Sequence, residues 1–200
     1  MASYLIGSFP SAYVAGRLAG IDIRKAGSGN IGATNVARVL GKRFGYPVFV
    51  VDVAKGFVAV KLAQAFAGNT HSSAFFVDLS GVLGAMFAVL GHSFPVWLGF
   101  KGGKGVATSI GALFALNWIP ALIVGIVWIV MFQTTRYVSL ASIVAVISLP
   151  ITVALMLFLK ELSTPVLLYF SLLLAAIVVF RHRSNISRLL SGTEHRFVRK

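Results

Sequence analysis

The chain has no cysteine and only five acidic residues in 200. Without thiols it can form no disulfide, no thiolate metal site and no cysteine nucleophile. It also lacks an H-E-x-x-H helix and a serine-centred nucleophile elbow, so hydrolases and metalloenzymes of those kinds are missing their parts. No metal or organic cofactor is expected. Met1 to Leu5 carry no basic residue, which argues against a cleavable signal peptide.

What the chain has in abundance is apolar surface. Hydrophobic residues make up 58% and charged residues 12%, and the mean hydropathy is +0.89, too apolar for a soluble fold of this size. The expectation is an all-α integral membrane protein, with residues 1–200 forming a single transmembrane domain. Eighteen Lys and Arg against five acids give a net charge of +13, an excess that in such a protein collects in cytoplasmic loops. The basic residues lie between apolar runs and line no soluble surface, so nucleic acid is not an expected partner.

A helix needs about 20 apolar residues to cross the hydrocarbon core. Candidate spans are Ser3 to Ala19, Pro47 to Ala67, Asp78 to Trp97, Arg136 to Leu159 and Ser163 to Phe180, and Gly105 to Gln133 is either one bent helix or two short ones turning at Asn117-Trp118-Ile119-Pro120. Charge decides between six spans and seven. With seven, Arg24, Lys25, Arg38, Lys42, Arg43, Lys101, Lys104, Arg136 and the tail from Arg181 to Lys200 all fall on one side. We therefore expect seven transmembrane helices, the N-terminus outside and the C-terminus in the cytoplasm.

That topology puts three polar segments at the cytoplasmic boundary. In Gly27-Ser28-Gly29-Asn30-Ile31-Gly32-Ala33-Thr34-Asn35, glycines let backbone N–H groups approach an oxyanion, hydroxyls and amides add donors, and a helix N-terminus follows, with Arg38 one turn in. The string matches G-x-G-x-x-G, but a membrane helix precedes it where a dinucleotide fold needs a strand. A plain glycine-rich connector is the competing reading. The second segment, Lys101-Gly102-Gly103-Lys104-Gly105, lacks the Walker A spacing; its lysines either snorkel or, with the bare glycine backbone, hold an anion. In the third, Asn185 and Arg188 follow His182 and Arg181 at helical spacing, with Glu194 beyond. Arg181 and Arg183 flank His182 and favour its neutral imidazole.

Other polar residues weigh less. Asp52 and Lys55, one turn apart inside an apolar span, suit a brace between helices. His92 fits a hydrogen-bonded structural histidine. Ser139 and Ser142 beside Arg136 are plausible donors, and Lys61, deeper in its span, has no evident role. Ser8-Phe9-Pro10 and Ser93-Phe94-Pro95 each precede a glycine-rich loop, a faint internal echo. A small phosphate transporter would expect paired repeats and a site at the midplane, and a structural subunit would need none of these loops.

Taken together, G-S-G-N-I-G-A-T-N, D-V-A-K-G, G-H-S-F-P-V-W-L-G-F-K-G-G-K-G-V-A-T and R-H-R-S-N-I resemble the motifs of the bacterial membrane family of acyl-phosphate:glycerol-3-phosphate acyltransferases, the PlsY family. No histidine here is followed five residues later by Asp, so the H-x-x-x-x-D signature of thioester-using glycerolipid acyltransferases is absent. The resemblance implies transfer of a fatty acyl group from acyl phosphate to the 1-hydroxyl of glycerol 3-phosphate, giving lysophosphatidic acid and inorganic phosphate by direct attack without an acyl-enzyme. That is the first step of phospholipid synthesis. It implies a monomer in the bacterial cytoplasmic (inner) membrane with its active site facing the cytoplasm. It assigns Ser28, Gly29, Asn30, Gly32, Ala33, Thr34, Asn35, Arg38, Gly102 and Gly103 to acyl phosphate. Lys104, Ser142, His182 and Asn185 go to glycerol 3-phosphate, with Lys104, His182 and Asn185 catalytic. Asp52, Lys55, His92, Lys101, Ser139, Arg188 and Glu194 are supporting. The proton acceptor is either His182 or a phosphoryl oxygen of the donor.

Overall fold

Prolines, glycines and a single asparagine divide the apolar sequence into helices. The computed structural model describes residues 1–69, 73–162 and 164–197. Ser163, His71, Arg199 and Lys200, which entered the reading of spans, histidines and tail, lie outside the described residues. The described chain is all-helical and divides into two compact units, Met1–Leu116 and Asn117–Lys200.

The first unit holds α1 (Ala2–Ser8), α2 (Ser11–Leu18), α3 (Ala33–Leu40), α4 (Lys42–Gly68), α5 (Ala74–Ser93) and α6 (Val106–Leu116), with short 3₁₀ turns at Ile23–Lys25 and Val96–Leu98. The span expected from Ser3 to Ala19 is broken. Pro10 offers no N–H and pushes Phe9 out of the helical region, to ψ 118°, so the chain restarts at Ser11. Small residues bring the longer helices close together. A Cβ at Gly56 would overlap the Thr108 carbonyl and one at Gly111 the Val53 carbonyl, so α4 and α6 touch through backbone, as in membrane helix pairs. Gly7 against Ala88 and Gly91 against Tyr4 do the same for α1 and α5. At one end, Ala12, Ala15, Ile23, Ile31, Val36 and Val48 form a buried cluster that anchors the first glycine loop between α2, α3 and α4.

The second unit holds α7 (Trp118–Thr135), α8 (Val138–Phe158), α9 (Val166–Arg181) and α10 (Arg183–Leu190). Of the two alternatives for Gly105 to Gln133, the structure has two helices. Asn117 is extended, and its side chain accepts the Ile119 N–H at 3.0 Å, capping α7. The tail helix differs from expectation, because α9 and α10 bend by 60° at His182; Arg181 and His182 therefore end one helix while Asn185 and Arg188 belong to the next.

Three described segments are long and apolar enough to cross a membrane, Ala74–Leu98, Trp118–Thr135 and Val138–Phe158, and the bent pair α9–α10 makes a fourth if taken as one span. The 27-residue α4 is long enough but carries Asp52, Lys55 and Lys61, and the 11-residue α6 covers only about 16 Å. Many large apolar side chains face outward, among them Phe66, Ile126, Ile151, Phe158 and Phe180, as lipid contact requires.

Candidate active site

The first glycine loop is organised by Asn35. Its buried amide donates to the carbonyls of Ala26 at 3.0 Å and Ile23 at 3.4 Å, while its oxygen accepts the Ser28 N–H at 2.9 Å. Both amide hydrogens and the oxygen are thereby committed to the loop itself, so Asn35 shapes the cradle instead of lining it. Gly27 and Gly29 sit at φ +59° and +68°, and a Cβ at Gly27 would overlap the Asn35 oxygen; only glycine suits that position. Gly32 is extended and puts no side-chain cap on α3, which leaves the first-turn amides of Ala33 and Thr34 presented at the helix N-terminus. Ser28 and Arg38 are exposed, and Asn30 and Thr34 are half-buried. Arg24 is taken. Its hydrogen-bonded guanidinium holds the Asp22 carboxyl down to about 2, whereas Arg38 makes no ion pair with a described residue.

The second loop lies against the first. Its Gly102 and Gly103 amides donate to the carbonyls of Ser93 at 3.2 Å and His92 at 3.1 Å, fastening it along the end of α5. A Cβ on Gly103 would meet both the His92 ring and the Ile31 carbonyl of the first loop. Two of the three expected segments are thus in contact. Lys101 is exposed and Lys104 half-buried, and Ser109 closes the start of α6 by bonding the Gly105 carbonyl with both its backbone N–H and its hydroxyl at 2.8 Å.

Behind both loops is a buried charge cluster. Asp52 accepts from Lys55 at 2.8 Å and from the Ser11 hydroxyl at 2.7 Å, and His92 Nδ1 is 3.6 Å away. Lys55 also donates to the Phe9 carbonyl at 3.1 Å, one of the acceptors released where Pro10 breaks the helix. The pair does brace helices, and what it braces is that break. The echoing Phe94 carbonyl accepts from the Tyr4 hydroxyl at 2.7 Å, so each S-F-P string ends a helix with its phenylalanine carbonyl held by a side chain. A cavity of about 10 Å³, room for about one water, is bordered by Ser8, Ser11, Lys55, His92, Gly102 and Gly103. The buried Ser8 hydroxyl has no partner among the described residues.

In the second unit the tail folds back to make a polar cluster around Glu194. Its carboxylate accepts from Ser139, Asn185 and Arg188, each at 2.7 Å, which joins α8 to α10. Burial pushes the Glu194 carboxyl up, but these hydrogen bonds outweigh it and leave it below its ordinary value. His182 is 2% exposed, with Nδ1 2.8 Å from the Val178 carbonyl. A carbonyl only accepts, so Nδ1 carries a proton. The Ser142 hydroxyl is engaged by the Trp128 indole N–H at 3.1 Å and the Val138 carbonyl at 2.8 Å. Farther along, Phe197 donates its N–H to the Arg136 carbonyl at 2.9 Å and stacks edge-on against Phe132.

Sequence reasoning missed Ser11, Trp128 and the Val178 carbonyl. Buried charges require partners, so Asp52 announced that some donor must reach it; nothing in the spacing pointed to Ser11. Lys61 has an ordinary place, exposed on α4 and bonded to Gln64 at 3.2 Å.

Residues 1–192 match the family model described as glycerol-3-phosphate acyltransferase. A glycerol-3-phosphate acyltransferase of Aquifex aeolicus is 44% identical over 196 residues, covering 98% of this chain and 95% of the relative; one of Gloeobacter violaceus is 50% identical over 194 residues, covering 96% and 90%. Two solved structures of PlsY (YgiH), an integral membrane glycerol 3-phosphate acyltransferase, align with TM-scores of 0.85 for its glycerol 3-phosphate form and 0.82 for its lysophosphatidic acid form, each at 43% identity over 98% of this chain and 92% of that one. This agreement, over almost the whole length in both sequence and fold, shows that the chain belongs to the glycerol-3-phosphate acyltransferase family.

Proposed function

We propose that this protein transfers a fatty acyl group from acyl phosphate to the 1-hydroxyl of glycerol 3-phosphate, producing lysophosphatidic acid and inorganic phosphate. The observation that carries the reading is the contact between the two glycine loops, since both substrates bear phosphate. The uncapped amides of Ala33 and Thr34 with Ser28, Asn30 and Arg38 suit the donor phosphate. Lys104, His182 and Asn185 suit glycerol 3-phosphate, and Ser142 contributes through the one oxygen it shares with Trp128. That the aligned structures are glycerol 3-phosphate and lysophosphatidic acid forms supports the acceptor and the product.

The chemistry needs little from the protein beyond placement and charge. Acyl phosphate is a mixed anhydride whose phosphate leaves readily, so the glycerol oxygen attacks the carbonyl carbon directly. The tetrahedral oxyanion that forms is stabilised by backbone N–H groups. Collapse breaks the C–O bond to phosphate. The hydroxyl proton passes to a phosphoryl oxygen of the donor, and His182, held by Val178, orients the acceptor; should His182 be the base, Nε2 takes the proton. We place the enzyme in the bacterial inner membrane as a monomer with seven spans. Its N-terminus is outside, its C-terminus and active site face the cytoplasm, and the whole chain is one acyltransferase domain.

The test is product formation by purified protein from acyl phosphate and glycerol 3-phosphate, with acyl-coenzyme A as a parallel donor. Ester from acyl phosphate alone supports the reading. Ester from acyl-coenzyme A in preference overturns the donor assignment, and no ester from either overturns the function.

A further inference from the structure

The mechanism above makes no use of the most heavily buried charges in the first unit. Asp52 is 1% exposed, Lys55 7% and His92 8%, and such a group persists in an apolar interior only when paired. Lys55 has a local purpose at the Phe9 carbonyl. His92 does not, because its ring and its backbone both point toward the second glycine loop. Its carbonyl accepts the Gly103 N–H, its ring edge lies where a Gly103 Cβ would be, and its Nδ1 faces Asp52. Asp52 is in turn fixed by Ser11 of α2 and by Lys55 one turn along its own helix, α4.

We propose that Asp52 is a positioning residue that acts through His92 to hold Gly102 and Gly103, and so sets the affinity of the lysine-glycine loop for the phosphate of glycerol 3-phosphate. A loop of glycines has no side chains with which to fix its own shape, and a phosphate cradle binds well only if its amides are already in place. The contacts run without interruption from Ser11, Lys55 and Asp52 to the His92 ring and on to the loop. The proposal rests on taking this loop, through Lys104, to the phosphate of glycerol 3-phosphate, in place of the acyl phosphate to which the family resemblance gave Gly102 and Gly103, and two readouts separate them.

The variants are His92→Phe, which keeps a ring beside Gly103 but cannot bond Asp52, and Asp52→Asn. His92→Phe leaves the Ser11–Asp52–Lys55 set intact and so guards against loss of the fold. Amide hydrogen exchange of the segment 99–106 is measured in detergent, with the α8 segment 138–158 as internal reference, alongside KM and kcat. Both variants should exchange faster at Gly102 and Gly103, with α8 unchanged and KM for glycerol 3-phosphate raised about tenfold, KM for acyl phosphate staying as it was. Unchanged exchange at the loop overturns the proposal whatever the activity, as does faster exchange with an unchanged KM. Faster exchange together with a raised KM confined to acyl phosphate overturns the substrate assignment of the loop and leaves the positioning in place. Faster exchange in chains that make no ester, unsubstituted protein included, discards the transferase reading alone.

Discussion

Replacing Glu194 by alanine removes the acceptor on which the second unit's polar cluster depends. Ser139 and Asn185 are each 5% exposed, and both give their hydrogen bonds to the same carboxylate oxygen at 2.7 Å. Each buried donor left unpaired costs about 1–3 kcal/mol. Arg188, whose side chain is 35% exposed, turns to water and adds less than about 1 kcal/mol. The expected loss is therefore roughly 2–7 kcal/mol, a drop of at least about 4 °C in Tm at about 2–4 °C per kcal/mol for a chain of this size. Glu194→Gln separates the contributions, because its carbonyl oxygen still accepts from Ser139 and Asn185 while its amide meets the Arg188 donor, so it should lose only about 1 kcal/mol. The assay is thermal unfolding in detergent, with activity measured below the transition. Equal shifts for the two variants, or an alanine variant within about 1 °C of the unsubstituted protein, would refute the hydrogen-bond accounting.

Acid should act through the same group. Its folded-state value is depressed below the ordinary 4.5, so its contribution is fully present above that pH and is lost as pH falls through the lower folded value; Tm measured from pH 6 to 3 should fall more steeply for the unsubstituted protein than for Glu194→Gln. Gly103→Ala should cut kcat/KM about 100-fold, because the new methyl overlaps the His92 ring and the Ile31 carbonyl, and steady-state kinetics with both substrates would show it. Lys55→Met strands a buried carboxylate and should cost about 3–5 kcal/mol, part of which Asp52→Asn in the same chain recovers, read by Tm. His182→Gln should keep kcat within a few-fold if donor phosphate takes the proton, while a fall of about 10²-fold or more would make His182 the base.

Much of this was readable from particular residues. The apolar runs marked the helices, and the gathering of basic residues on one side chose a turn near Asn117 over one bent helix; the side-chain cap that makes the turn appears only in the structure. The pairing of Asp52 with Lys55 followed from the cost of burying either alone. Pro10 was in plain view, yet its break in the first span was read through, since a proline so near the start of an apolar run can equally kink a continuous helix. The bend at His182 left no local sign either. It arises where Val178 and Val179 share the His182 N–H, and no proline or glycine stands there. Asn35 shows the limit for sites: composition makes an asparagine in a glycine loop a donor, and only its three partners show that it is spent on the loop.

The central claim is direct acyl transfer between two phosphate-bearing substrates, and one measurement meets it squarely. Purified protein is mixed with acyl phosphate, with and without glycerol 3-phosphate, and phosphate and lysophosphatidic acid are followed from the first turnover. The account predicts one phosphate per ester, and no phosphate released before the acceptor is added. A burst of phosphate without acceptor would mean an acyl-enzyme, and phosphate release uncoupled from ester would contradict the transfer itself.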